Sequence, residues 1–243
     1  MAIVETRLRR RRCGANVDPV NMCGRYRLKD PQQASLAFQP GTVPGVETPR
    51  WNVAPTQLMP VIRELDRRPC LETMRWGLLP FYERGKAKPL VHINARAETA
   101  REKPTFRQSV ASRRCAILAD GFYEWRRTDF PTKQPYFIGL RGEVPFAFAG
   151  IFEEGDADGP GGFCILTTTP NDLVGRIHDR MPVILNPATA ERWVAGPSVG
   201  EAEFAALTRP YPAAEMAAWP VAPLVNSPRN DLPECSVPVA PLP

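Results

Sequence analysis

The chain has 243 residues, 43% hydrophobic and 23% charged, with 31 Lys and Arg against 26 Asp and Glu for a formal charge of +5. That length builds one large domain or two small ones, and the composition is that of a soluble globular protein. No stretch approaches the ~20 apolar residues of a membrane span. The six cysteines (13, 23, 70, 115, 164, 235) and the only histidines, His92 and His178, show neither a C-x-x-C pair nor zinc-finger spacing.

The basic excess is local. Residues 1–21 hold Arg7, Arg9, Arg10, Arg11 and Arg12 against Glu5 and Asp18, so the other 222 residues carry only +2. This stretch lacks an apolar h-region and is no secretory signal; it reads as a basic leader or as a mis-assigned start. Without such a signal the expected compartment is reducing and cytoplasmic, with free thiols. Cys70, Cys115 and Cys164 fall in apolar, strand-like runs and read as small core residues. Nucleic-acid affinity would have to come from arginine placement rather than from global charge.

Met22-Cys23-Gly24-Arg25-Tyr26 follows the leader, and methionine before a small residue is a typical translation start. With the residues ahead of it removed, Cys23 carries a thiol and an α-amine on adjacent carbons. The amine's reference pKa is ~8, so about a tenth is neutral at pH 7, and the thiol's ~8.5 is open to lowering by a cation such as Arg25. Such a 1,2-aminothiol condenses with an aldehyde to a five-membered thiazolidine. The plain alternative is a buried small residue.

Further along, Asp30-Pro31 caps a short helix over Gln32–Phe38. Leu58–Glu64 and Leu71–Trp76 read as strands around a charged turn. Asn94 reads as the N-cap of a helix over Ala95–Arg101. Arg114–Ala119, Phe122–Arg127, Tyr136–Leu140, Phe146–Phe152 and Phe163–Thr168 continue the β character, with Gly155–Gly162 a flexible loop. Asn171–Ile177, Pro187–Ala195 and Glu201–Leu207 are helix candidates. The tail Pro228–Pro243, with five prolines, drapes or frays. Strands with interspersed rather than alternating helices indicate an α+β fold.

Two further side chains invite chemistry. Strand alternation puts Glu124 on the face of Phe122 and Arg126, between Tyr123 and Trp125. A carboxylate bounded by aromatics has a raised pKa and can shuttle protons; a surface glutamate is the alternative. His178 lies in the polar run Arg176–Arg180, and its imidazole suits acid–base work, against a purely structural role. His92, in the apolar run Leu90–Ile93, reads as structural.

Six segments taken together carry a resemblance. They are Met22-Cys23-Gly24-Arg25-Tyr26, Trp51-Asn52-Val53-Ala54-Pro55-Thr56, Arg75-Trp76-Gly77-Leu78-Leu79-Pro80, Ile93-Asn94-Ala95-Arg96-Ala97-Glu98-Thr99, Ala119-Asp120-Gly121-Phe122-Tyr123-Glu124-Trp125 and Ile177-His178-Asp179-Arg180-Met181-Pro182. In this order the chain resembles the SRAP family, the SOS-response-associated peptidases or abasic-site processing proteins, from Met22 to about Asn230. The resemblance implies one α+β domain over residues 22–230 with a twisted, mainly antiparallel, barrel-like β core flanked by short helices. Residues 1–21 precede that domain and the Pro-rich tail 231–243 follows it.

The resemblance further implies a sensor and covalent shield of abasic sites in single-stranded DNA. It acts through a thiazolidine on Cys23, after autoproteolytic or aminopeptidase removal of the residues ahead of it. Asn94, Glu124 and His178 join Cys23 in the pocket, and Arg25, Arg96 and Arg180 are the implied phosphate and sugar contacts. Trp76, Phe81 and Tyr82 are aromatics near these arginines that suit base stacking or wedging a junction, with core packing the stronger alternative for Trp76. Phe81-Tyr82 stands where the family often has tryptophan. The implied partner is single-stranded DNA with abasic sites, single/double-strand junctions included as a context. No metal, organic cofactor or membrane is implied, and the protein is expected to be a monomer that joins the nucleoid when bound to DNA.

Two other functions fit parts of this pattern. An N-terminal-nucleophile amidohydrolase also exposes a Cys-Gly start and uses its free amine as base, but needs a glutamine clamp that is not evident. A non-covalent single-strand-binding module would use the arginines and aromatics and ignore Cys23. A Cys/His protease acting on other proteins is weaker still.

Overall fold

In the computed structural model, which describes residues 16–17, 23–38, 48–128, 132–156, 159–196 and 198–241, strands dominate. Before the first long hairpin come β1 (Asn16–Val17), β2 (Tyr26–Leu28) and β3 (Arg50–Val53). The hairpin is β4 (Leu58–Leu65) and β5 (Arg68–Trp76), followed by β6 (Leu90–Val91) and β7 (Asn94–Arg96). The central strands are β8 (Arg114–Ala119), β9 (Gly121–Arg126), β10 (Gln134–Leu140), β11 (Phe146–Glu153) and β12 (Gly162–Thr168). Short β13 (Met181–Pro182) and β14 (Ile184–Leu185) and the late β15 (Met216–Pro220) complete them. The helices are α1 (Pro31–Phe38), α2 (Ala97–Ala100), α3 (Arg107–Ser112), α4 (Pro187–Val194) and α5 (Glu201–Leu207).

The larger sheet closes on itself. β12 pairs with β5, β5 with β4, β4 with β8, β8 with β11, and β11 returns to β12. Closure removes the exposed edges that an open sheet would present. Every pairing in this ring is antiparallel except β12 with β5, and β7 adds to β12 in parallel. The fold is therefore α+β with a mainly antiparallel, barrel-like core.

All six residues of β8 are buried, which requires cover on both faces. α4 supplies part of it: the Trp193 indole donates to the carbonyls of Cys115 and Gly150, 3.0 and 3.1 Å away, on two neighbouring strands. The helix starts there because Asn186 caps it, its side chain accepting from Thr189 N, with Pro187 in the first turn.

A second, antiparallel sheet runs β15-β10-β9-β2-β3. Alternation along β9 divides its side chains between two cores. Phe122 joins the main core, whereas Tyr123 packs with Phe137, Val221, Val225 and Cys235. The proline-rich segment drapes over this sheet. Asp231 accepts from the Trp51 and Asn52 amides and from Arg50, and the Trp219 indole donates to Ser236 O at 2.9 Å.

Three expectations need correction. Asn94 opens the strand β7, paired with Ile165, and is not an N-cap; helix begins only at Ala97. Pairing with β12 satisfies the backbone there in place of a helical turn. The helix expected over Asn171–Ile177 is a single 3-10 turn, Val174–Arg176. Finally, Trp76 is fully buried, its indole donating to Ile93 O at 3.0 Å and its ring 5.2 Å from Tyr26. It has no face for a DNA base. Trp76→Ala is expected to cost about 3–5 kcal/mol, read by chemical denaturation.

Candidate active site

Cys23 enters the structure just ahead of β2, whose pairing with β9 sets Tyr26 opposite Phe122. The Tyr123 amide donates to Arg25 O at 3.0 Å, so the ladder continues toward Cys23. That register brings Glu124 beside the start of the domain. The backbone nitrogen of Cys23 donates to Glu124 Oε1 at 2.7 Å. Both residues are buried, and Cys23 sits at φ 31°, an uncommon conformation for a residue with a Cβ.

Burial sets the electrostatics. Loss of water pushes the Glu124 carboxyl up to about 8, against hydrogen bonds from the Cys23 and Trp125 amides that pull it down. The same burial, with the Glu124 charge, holds the Cys23 thiol well above its ordinary value. The expectation that Arg25 would lower that thiol is not met. Arg25 turns away, donating to Val225 O at 2.7 Å, Asn226 O at 3.1 Å and Asn52 Oδ1 at 3.2 Å.

His178 faces the other carboxylate oxygen, with Nε2 3.9 Å from Glu124 Oε2. The Arg180 amide donates to His178 Nδ1 at 3.2 Å. That leaves Nε2 as the proton-bearing nitrogen, pointing at Glu124. Asp179 Oδ1 also lies 3.2 Å from Nδ1, but it is 89% exposed and its pull is screened. The turn carrying His178 is built locally: Asn171 Oδ1 accepts from the Leu173 and Val174 amides, and His178 N donates to Val174 O.

Arg180 locks that turn from the far side. Its two terminal nitrogens meet the two oxygens of Glu98 at 2.7 and 2.8 Å, and one also donates to Thr167 O at 2.8 Å. The two terminal nitrogens are thus committed to protein partners while the buried Nε has no hydrogen-bond partner among the described residues, and the Glu98 contact, absent from the expected site residues, has the bidentate geometry that fixes orientation.

The structure brings Cys23, Glu124 and His178 together. Asn94, partly buried on β7, and exposed Arg96 are carried in by the pairing of β7 with β12. Tyr82 is 43% exposed, bonded to Thr105 Oγ1 at 2.8 Å and edge-on to Phe81, which is 66% exposed. Gly24 has open space where a Cβ would stand, which leaves room directly beside the cysteine. Among the described residues, no His, Cys, Asp and Glu cluster of metal-binding form occurs.

The backbone nitrogen of Cys23 thus rests on a buried carboxyl, with an imidazole on that carboxyl's other oxygen, so a thiol, an acid and an imidazole meet where the domain begins. Residues 22–228 match the SOS response associated peptidase (SRAP) family, and the chain belongs to it. It is 40% identical over 222 residues to the abasic site processing protein YoqW of Bacillus subtilis, covering 88% of this chain and 98% of that one. Against the abasic site processing protein YedK of Escherichia coli the identity is 32% over 229 residues, covering 90% and 100%. A crystal structure of a protein from Bacteroides thetaiotaomicron is similar at TM-score 0.74 and 28% identity, covering 90% of this chain and all of that one.

Proposed function

We propose that this protein captures abasic sites in single-stranded DNA as a thiazolidine on Cys23, once the residues ahead of Cys23 have been removed. The observation that carries this reading is the 2.7 Å contact between the Cys23 nitrogen and the buried Glu124 carboxyl. In the intact chain that nitrogen is a peptide N–H. It is also the leaving nitrogen when water hydrolyses the Met22–Cys23 bond, and a protonated Glu124 is placed to supply its proton. Met22 itself lies outside the described residues.

The freed α-amine then occupies the same place against Glu124. The carboxyl gives a proton to the sugar ring oxygen as the C1′–O4′ bond breaks, and the resulting carboxylate takes back the C1′ hydroxyl proton as the hemiacetal opens to the C1′ aldehyde. The amine adds to C1′, water leaves, and an imine results. The thiol adds across the imine, its proton going to nitrogen, and the ring closes. One water is lost overall. Holding amine and thiol beside one carbon makes the second bond formation intramolecular. His178, 3.9 Å from Glu124, relays protons to and from it.

Chains beginning at Met1 and at Met22 are to be mixed with a uracil-containing strand pretreated with uracil glycosylase, and intact masses read. The expected product starts at Cys23 and gains the DNA mass less one water. A free Cys23 that gives no adduct would overturn the reading in favour of a non-covalent module. Glutamine hydrolysis would favour the amidohydrolase.

A further inference from the structure

The segment Trp51–Thr56 carries part of the family resemblance, yet none of its side chains acts on Cys23 or Glu124 in the chemistry of the site. Its Asn52, on β3, is fully buried, and a buried amide is costly unless its hydrogen bonds are met. They are met almost at one place. Nδ2 donates to the carbonyls of Val225, Ser227 and Asn230, at 3.1, 3.0 and 2.8 Å. Oδ1 accepts from Arg25 Nη1 at 3.2 Å, and the same guanidinium donates to Val225 O and Asn226 O. A 3-10 turn, Pro223–Asn226, thus holds both Asn52 and Arg25.

The turn is braced in its own right. Asn230 Nδ2 donates to Leu224 O at 2.8 Å, and Asp231 accepts from the Asn52 amide at 2.8 Å. Asn226 Oδ1 accepts from the Trp125 indole at 2.7 Å. One turn therefore grips the chain two residues past Cys23 and one residue past Glu124.

The need for such a grip follows from where Cys23 stands. Once the residues ahead of it are removed, Cys23 is terminal and is followed by Gly24, which has open space at its Cβ position. Glycine gives the chain its widest choice of φ and ψ, and a terminal residue frays unless it is tied down. The φ of 31° at Cys23 is itself a conformation that the surroundings must hold. Arg25 comes next, its carbonyl accepting from the Tyr123 amide at 3.0 Å and its side chain bound to the turn.

Resting on the function proposed above, we infer that Arg25 is a positioning residue, anchored by Asn52 and the Pro223–Asn226 turn, which holds the amine and thiol of Cys23 at the lesion carbon. The C-terminal segment is thereby part of the site. Its effect falls on rate, because misplacing a nucleophile by about 1 Å costs up to ~100-fold. A phosphate contact would act instead on affinity and its salt dependence.

The test compares chains starting at Cys23: wild type, Arg25→Gln, Asn52→Ala and Trp219→Phe. Single-turnover crosslinking to an aldehyde strand gives the saturating rate. Anisotropy with a strand bearing tetrahydrofuran, an abasic analogue without the reactive aldehyde, gives affinity. Arg25→Gln and Asn52→Ala are expected to lower the saturating rate by at least about tenfold, with affinity within about twofold and the salt slope unchanged. Trp219→Phe loses its indole bond to Ser236 O in the same segment and is expected to keep the rate. A wild-type rate in Arg25→Gln, or weaker affinity with a salt slope shallower by about 0.7, overturns the inference. So does an equal loss of rate in Trp219→Phe, which would mean general loosening. Should Asn52→Ala fail to fold, Arg25→Gln, on a half-buried side chain, carries the test. A second readout needs no crosslink. With the residues ahead of Cys23 retained, the Cys23 amide resonance is expected to move with pH as Glu124 titrates, and to move at most about half as far in Arg25→Gln. A wild type that forms no adduct refutes the crosslinker, and the amide titration then decides the anchor alone: an unchanged movement in Arg25→Gln removes it.

Discussion

Glutamine in place of Glu124 is expected to slow crosslink formation by at least about a hundredfold and, in the same molecule, to stabilise the fold at alkaline pH. Both effects have one origin. The folded protein holds this carboxyl at about 8, whereas the unfolded chain returns it to its ordinary 4.5. A proton bound more tightly in the folded state stabilises that state fully below 4.5. That stabilisation is lost progressively as pH rises through the folded value of about 8. At pH 9 the wild type must bury a charge or distort to avoid it, a cost on the order of 4 kcal/mol. Glutamine keeps an acceptor for the Cys23 amide and bears no charge. Melting temperatures at pH 5 and pH 9 are expected to converge in Glu124→Gln and to separate by several degrees in the wild type, both with residues ahead of Cys23 retained. An equal pH response would mean that Glu124 is ionised and solvated in the fold. In processed protein an α-ammonium 2.7 Å away favours the carboxylate, so the rate profile of the wild type is expected to be bell-shaped.

This trade between rate and stability shows what sequence could and could not disclose. The Glu124 strand was legible because Phe122, Glu124 and Arg126 alternate with Tyr123 and Trp125, and its raised carboxyl follows from that setting. The closed ring of strands was legible only as strand-rich composition, since closure depends on β12 meeting both β5 and β11 across some ninety residues of chain. β2 and β3 escaped notice because a strand of three or four residues leaves too short a period to read. Asn94 misled for a physical reason: asparagine is a strong N-cap residue, but parallel pairing with Ile165 overrides that local preference. Of the three arginines near Cys23 and His178 in sequence, Arg25 and Arg180 hold protein partners and Arg96 is exposed, and which of them makes such contacts is a tertiary property that sequence proximity does not disclose.

Serine in place of Cys23 is expected to abolish the stable crosslink while leaving a trappable intermediate, and this separates the two nucleophiles. Serine keeps the α-amine 2.7 Å from Glu124 once the preceding residues are absent, and removes only the sulfur. The Cys23 thiol is held protonated by burial, so it is poorly suited to attack first. The amine therefore opens the reaction, and the thiol closes a ring on an imine already formed. With Cys23→Ser starting at residue 23, borohydride is expected to trap an amine–DNA conjugate, and without borohydride no adduct should survive heating. Cys23→Ala at the same start should give the same trapped species at a similar rate, since the α-amine is common to both. Failure of both variants to trap an imine, with undiminished binding to a tetrahydrofuran strand, would mean that sulfur attacks first. Glu124 would then serve as base to the thiol rather than to the amine. The competing outcome, a heat-stable adduct with serine, would place the crosslink on another side chain altogether and remove Cys23 from the chemistry.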